Sequence, residues 1–495
     1  MISLSQTQII SISVNSAIFA ILTIASLILV NKINLQEKGY KYLFWLYTMF
    51  WVPIMLVRPY RGTMQNAIDN DATLVAIVLS VYGIIGIFIR LFADVISYLF
   101  KYRKAFLYFS IILEIILFIP LVVNPTSATN IVSAIGIGVG ASCIGTYELL
   151  FKEQYGNKKA FLTVSVLSIP PLLANFLTAP VQSIMKTVAT NNDKVVDPLI
   201  LRYMWVISLG FLLIVFVMLF FLKEKRMETP MVNTKTEKLT LFEKTSALDV
   251  SLFVGLCIIG SLVAFIKFSN SDSVATTHLQ NLAKLNNLSS AAYEGYISVI
   301  FSLFQLVAGV LMGLYLVKKI DVIKIFLIGS SAWVVYTIAS SFIANPYAYL
   351  AIHGINGFGY GILYNLVLAL VLKVTMDKKI ITKMGIYQSV LSIGVAVSGF
   401  FTTWMKEAVI GKVDPNTIDL NTYMKSYLIQ NMVLLGVVIL ITIAFVVMMI
   451  IVNDKSDSFK LNKKESESKD SVWKSNFKKE IANSKTKILN KFAIT

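Results

Sequence analysis

The chain has 495 residues, 56% of them hydrophobic and only 14% charged, with a formal net charge of +17. Such a balance excludes an ordinary soluble globular domain and points to an integral membrane protein. The Lys and Arg residues fall in alternate loops and in the tail, so the charge marks membrane topology and not a nucleic-acid surface.

Windows of about 19 residues place apolar spans near 9–30, 41–61, 73–99, 104–123, 130–150, 161–185, 201–222, 249–268, 291–317, 322–343, 347–373, 384–405 and 426–452, about thirteen helices in all. No charge precedes Lys32, so the first span lacks the basic start of a cleaved signal and is expected to remain a helix. Basic connections such as FKYRK (100–104) and VKKIDVIK (317–324) alternate with nearly neutral ones such as NPTSATN (124–130). The positive-inside rule then puts the N-terminus outside a cell membrane and the C-terminal tail in the cytoplasm. A bias toward Lys, Asn and Ile points to an AT-rich bacterial genome.

The second span closes on WVPIMLVRPYRG (51–62), where Arg58 ends an apolar run. Its counterpart in the second half is Lys267, in LVAFIKFSN (262–270). Each cation either snorkels to the membrane interface or faces a central cavity, where the two clamp an anion. Continuation of their helices through TMQNAI and SDSVATTHLQN would move both deeper. Arg61, beside Gly62, reads as an interfacial anchor. Pro53 and Pro59 each remove a regular backbone bond and can bend the helix.

The third span runs into RLFADVISYLFKYRK (90–104). An acid at a helix end, held by basic residues of a neighbouring loop, can latch two helices in one state and release them in another. The expected gating set is Arg90, Asp94, Arg103 and Lys104, with Glu148 as a cytoplasmic partner for Arg90 or Arg103. Glu114, mid-span, is either a proton-coupling site or a structural partner facing the bundle. The hydrophilic stretch 223–248 then divides the chain, and the halves repeat. GIGVG (136–140) answers GFGYG (357–361), VLSI recurs at 166 and 390, and YLFK at 98 answers YLVK at 315. Three ordered matches at offsets of about 220 residues indicate two pseudo-symmetric six-helix bundles. The glycine runs are expected to let helix backbones approach closely.

In the second half, His353 is a substrate-binding candidate or a hydrogen-bonded packing residue. Asn356, Tyr360 and Tyr364 follow on the same helix, with Asn365, as a polar and aromatic stripe able to line a cavity. Cys143 and Cys257 lie inside apolar runs, and only His278 and His353 are available as imidazole ligands, so neither a disulfide nor a metal centre is expected. No nucleophile stands with a base, so neither an enzyme nor a cofactor is expected. The expected domains are 1–40, an extra transmembrane helix with a cytoplasmic linker; 41–222, the first bundle; 223–248, a cytoplasmic loop; 249–452, the second bundle; and 453–495, a basic, disordered tail.

The stretch 90–104 resembles the signature between the second and third helices of the major facilitator superfamily. Asp94, Ser97, Lys101, Arg103 and Lys104 match it, Arg90 stands where the family has its first Gly, and Tyr102 replaces the later one. A weaker copy, GVLMGLYLVKKID (309–321), falls at the equivalent loop of the second half. The resemblance implies an all-α integral membrane protein of major facilitator fold, here with one extra N-terminal helix. Within that superfamily, IMLVRPYR (54–61), YGIIGIFIRLFAD (82–94) and SIPPLLANF (168–176) resemble the organophosphate:phosphate antiporters. That similarity implies alternating-access exchange of a phosphate ester for phosphate, with Arg58 and Lys267 where those antiporters hold two arginines. Lys267 departs from the pattern, as does Gly86, where some members carry a lysine, and the fifth core helix lacks a histidine. The expected partners are a small anionic solute and the lipid bilayer, for a monomer. The alternatives are a proton-coupled carrier of another solute, with Glu114 titrating, and a membrane sensor or scaffold that does not transport.

Overall fold

A computed structural model describes residues 5–32, 38–155, 169–190, 196–224, 247–374, 380–410 and 419–455. The basic central loop and the tail beyond Lys455 lie outside the described residues, as does the expected disorder of that tail. By contacts the chain divides into 1–445 and 446–495.

Helices stand at every apolar span expected from the sequence. An additional helix, α1 (Gln6–Lys32), precedes the first bundle, whose helices are α2 (Lys38–Val57), α3 (Arg61–Ile68), α4 (Ala72–Phe100), α5 (Arg103–Val123), α6 (Ser127–Ala141), α7 (Ile144–Tyr155), α8 (Ile169–Ala189), α9 (Pro198–Leu201) and α10 (Tyr203–Phe220). The second bundle holds α11 (Ala247–Asn270), α12 (Asp272–Leu285), α13 (Tyr296–Leu311), α14 (Val317–Lys319), α15 (Val322–Phe342), α16 (Pro346–Val374), α17 (Ile380–Ile410) and α18 (Leu420–Lys455). The pairs α2 with α3, α6 with α7, α9 with α10, α11 with α12, and α13 with α14 each count as one bent or extended span, which gives two bundles of six. Among the described residues, ten segments are long and apolar enough to cross a membrane. Their lipid-length apolar faces are exposed, as a bilayer solvent requires.

Both ends of the repeat show why glycine recurs. In GIGVG, a Cβ on Gly138 would lie 2.9 Å from the Tyr82 carbonyl oxygen of α4, and one on Gly136 2.9 Å from the Phe118 ring of α5. In GFGYG, a Cβ on Gly357 would lie 2.0 Å from the Phe301 carbonyl oxygen of α13. The missing side chains let α6 and α16 sit against their neighbours at backbone distance.

The halves meet along two seams. On one, α4 packs on α17; on the other, α8 packs on α13, where Asn175 Nδ2 donates to Ser302 Oγ at 2.7 Å. The short helices α3 and α12 cross at one end of the molecule, joined by the Gly62 amide donating to Ser273 Oγ at 3.2 Å. Helix α1 lies over the α8–α13 seam and bonds to both sides of it. Gln8 Nε2 donates to the Thr187 and Thr190 carbonyls, each at 3.0 Å, and Asn15 accepts from Tyr296 Oη at 2.5 Å.

Candidate anion-binding site

The site begins where α2 stops. Pro53 sits inside α2, and Pro59 follows Arg58 in a tight 3-10 turn (Arg58–Tyr60) that leads into α3. A proline has no N–H to continue the helical ladder, so the chain tightens there and turns the Arg58 side chain inward. Both polar stretches after the two cations are helical, as α3 and α12, so each cation lies within the bundle and not at its rim. Arg58 and Lys267 are each only 6% exposed.

They come together on a carboxylate. Arg58 Nη2 lies 2.7 Å from Asp272 Oδ1, and Lys267 Nζ lies 2.8 Å from Asp272 Oδ2. One acid thus bridges a cation from each half in two charge-assisted hydrogen bonds. Asp272 occupies the break between α11 and α12 with a left-handed φ of 53°. Asp is among the few residues that take this conformation without a large steric penalty, and here it returns the carboxylate toward Lys267. Ser271 Oγ donates to the Lys267 carbonyl at 2.6 Å and holds the same break. Phe268 lies beneath the cations, its ring centre 3.7 Å from Lys267 Nζ. The negative face of that ring offsets part of the cost of burying the ammonium.

Arg61 differs from its sequence expectation. It is 3% exposed, not interfacial; Nη1 donates to the Arg58 carbonyl at 3.1 Å and its guanidinium lies over Tyr82 at 4.9 Å. The continuation of the chain as α3, covered by α4 and α12, takes it out of reach of the interface. Asp272 and Arg61 are the two members that sequence reasoning missed, the first because it lies in the polar stretch SDSVATTHLQN beyond the apolar span.

A cavity of about 100 Å³ opens beside the triad, and Arg58, Lys267 and Asp272 line it together with His353, Tyr360 and Tyr364. Tyr360 and Tyr364 stack with ring centres 5.2 Å apart, and Lys267 Nζ is 5.5 Å from the Tyr360 ring. His353 Nδ1 pairs with Tyr336 Oη at 3.1 Å. Asn356, expected on the same stripe, does not line the cavity: its Nδ2 donates to the Asn270 carbonyl at 3.0 Å and so anchors the end of α11.

The residues of the expected gating set lie on α4, α5 and α7. Arg90 Nη1 donates to the Gln388 carbonyl of α17 at 2.6 Å. Asp94 abuts α17 at Gly385, where a Cβ would meet its Oδ2 at 2.5 Å. The backbone amides of Arg103 and Lys104 donate to Glu224, at 2.7 and 3.0 Å, so an acid caps the α5 N-terminus. Glu148 lines the central cavity, and its Oε2 has no hydrogen-bond partner among the described residues. Glu114 is fully buried away from that cavity, and a Cβ on Gly140 would fall 2.4 Å from its Oε2. The pair Lys186–Glu294, 3.6 Å apart and buried, joins α8 to the turn before α13 and had no sequence signal of its own.

Among the described residues no His, Cys, Asp and Glu cluster could hold a metal ion. Residues 262–485 match the family model of the Major Facilitator Superfamily. No curated protein matches the sequence. Among solved structures, the nucleoside transporter NupG aligns at a TM-score of 0.59 and 12% identity, covering 83% of this chain and 99% of its own. A bacterial homologue of the human lysosomal transporter Spinster, inward-facing and occupied, aligns at a TM-score of 0.59 and 12% identity, covering 84% of this chain and 97% of its own. Two bundles of six apolar helices, a family-model match in the second half and neighbours superposing over almost their full length give this chain the major facilitator fold, with one helix added before it.

Proposed function

We propose that the chain is a secondary transporter that carries a small organic anion, a phosphate ester exchanged for phosphate, by alternating access around Arg58 and Lys267. The observation that supports this is the Asp272 carboxylate held 2.7 and 2.8 Å from two buried cations, one from each half. A position that accepts a carboxylate between an arginine and a lysine suits the anionic group of a solute equally. With buried Arg61 bonded to the Arg58 carbonyl, three cations face one carboxylate, an excess of two charges that a phosphate monoester dianion balances. In this reading the protein works as a monomer in the cell membrane, N-terminus outside, tail in the cytoplasm, with bundles at 41–222 and 249–452.

The test is exchange in proteoliposomes loaded with phosphate and supplied with labelled glycerol phosphate or hexose phosphate. Arg58→Ala and Lys267→Ala are each expected to cut exchange by at least about tenfold, since each removes a charge-assisted bond worth about 1.5–3 kcal/mol. Exchange that survives both substitutions would sink the anion clamp. Proton-coupled carriage of another solute is the second reading. Glu114 favours it: neither carboxylate oxygen has a hydrogen-bond partner among the described residues. Uptake that follows an imposed pH gradient and fails in Glu114→Gln would select that mechanism.

A further inference from the structure

The central cavity has a second pole. Glu148 of α7 is 7% exposed and lines the same cavity as Arg58 and Lys267, yet its Oε2 is buried with no hydrogen-bond partner among the described residues. Arg90, whose charge acts on it, directs Nη1 to the Gln388 carbonyl and makes no ion pair with it. Asn175 of α8 lines the cavity too. Its Nδ2 is committed to Ser302 Oγ at 2.7 Å, which fixes the amide and leaves Oδ1 as a second buried acceptor without a donor. Leaving one such acceptor unpaired costs about 1–3 kcal/mol, and more when it is charged. Two in one cavity, opposite in character to the cations, are a recognition surface waiting for donors.

We infer that Glu148 and Asn175 read hydrogen-bond donors on the transported anion, so the substrate is an anion that also carries a hydroxyl or ammonium group, its acidic end at Arg58 and Lys267 and its donor end at Glu148. This rests on the anion-transport proposal and sharpens its substrate class. A site built to hydrogen-bond a donor rejects the analogue lacking it, because its own buried acceptors are then left unpaired.

The experiment measures competition against labelled phosphate exchange by three unlabelled probes: glycerol phosphate, with hydroxyls; phosphoethanolamine, with an ammonium; and methyl phosphate, with neither. The full-length protein is expected to prefer one of the first two over methyl phosphate by at least tenfold. Which of the two is preferred identifies the donor. Glu148→Gln is expected to collapse an ammonium preference and Asn175→Leu to reduce a hydroxyl preference, each read as a change in the ratio between probes. Equal competition by all three probes, or a ratio unchanged in both variants, overturns the inference while leaving the anion clamp standing. Absence of any phosphate exchange in the parent protein defeats the clamp, and with it this assignment.

Discussion

Asp272 is the residue on which the centre of the molecule turns. Among the described residues its carboxylate is the ion-pair partner that Arg58 and Lys267 share, so Asp272→Asn leaves two buried cations facing each other. Removing one member of a buried ionic set costs about 3–5 kcal/mol. The variant is therefore expected to melt well below the parent in detergent, and added phosphate is expected to raise its melting temperature more than the parent's, because the anion takes the vacated role. Equal phosphate shifts in the two proteins would count against a shared anion position. At this scale the sequence was legible only where the internal repeat helped. Arg58 and Lys267 could be paired because duplication sets them at comparable places in their halves. Asp272 had no such marker: hydropathy reads SDSVATTHLQN as a loop, whereas packing against α3 makes it the helix α12 and brings its first residue to the cations. Glu148 lies on a helix as expected and also lines the central cavity, which a sequence does not reveal, since it does not say which side of a helix faces the gap between bundles.

Among whole elements, α1 and the glycine-bearing helices make separate claims. The apolar spans were legible because a helix crossing lipid must be long, continuous and apolar. Where α1 would dock was not, because its contacts are a few polar groups in an otherwise apolar helix. Asn15 receives the Tyr296 hydroxyl, and its Nδ2 donates to the Ala292 carbonyl at 3.3 Å, while Gln8 holds α8. Tyr296→Phe should lower stability by about 1 kcal/mol, Asn15→Ala by more because it also removes the bond to the Ala292 carbonyl, and the double variant by little more than Asn15→Ala alone, because the Tyr296 bond is shared. Fully additive losses in thermal melts would show that the two side chains act independently. Close packing predicts a sharper contrast. A Cβ on Gly394 of α17 would lie 1.9 Å from the Ser261 carbonyl oxygen of α11, whereas one on Gly210 of α10 would meet nothing within 4 Å. Gly394→Ala should destabilise by about 1–3 kcal/mol or more, and Gly210→Ala should be neutral or slightly stabilising through helix propensity. Equal melting temperatures for the two variants would contradict the α11–α17 approach.

For the molecule as a whole, rocking requires that at least one seam between the halves open and close. The α4–α17 seam is continuous. A Cβ on Gly399 would lie 2.4 Å from Ser80 Oγ, one on Gly83 2.3 Å from the Ala396 amide nitrogen, and one on Gly385 2.5 Å from Asp94 Oδ2, so the two helices touch from one end to the other. Midway, a Cβ on Gly86 would sit 3.2 Å from Ser392 Cβ, slightly inside the usual Cβ separation of about 3.5–4.5 Å across a disulfide. The pair Gly86→Cys and Ser392→Cys should therefore cross-link on mild oxidation after a shift of a few tenths of an ångström. Both native cysteines, Cys143 and Cys257, are buried and unpaired, so they interfere little. If the halves move against each other at this seam during exchange, oxidation should abolish phosphate exchange in proteoliposomes and a reductant should restore it, with the single-cysteine variants insensitive to either. A cross-linked protein that still exchanges would place the moving surface elsewhere. The α8–α13 seam would then be the candidate, where the Lys186–Glu294 pair and the bonds from α1 already join the two sides and would have to break.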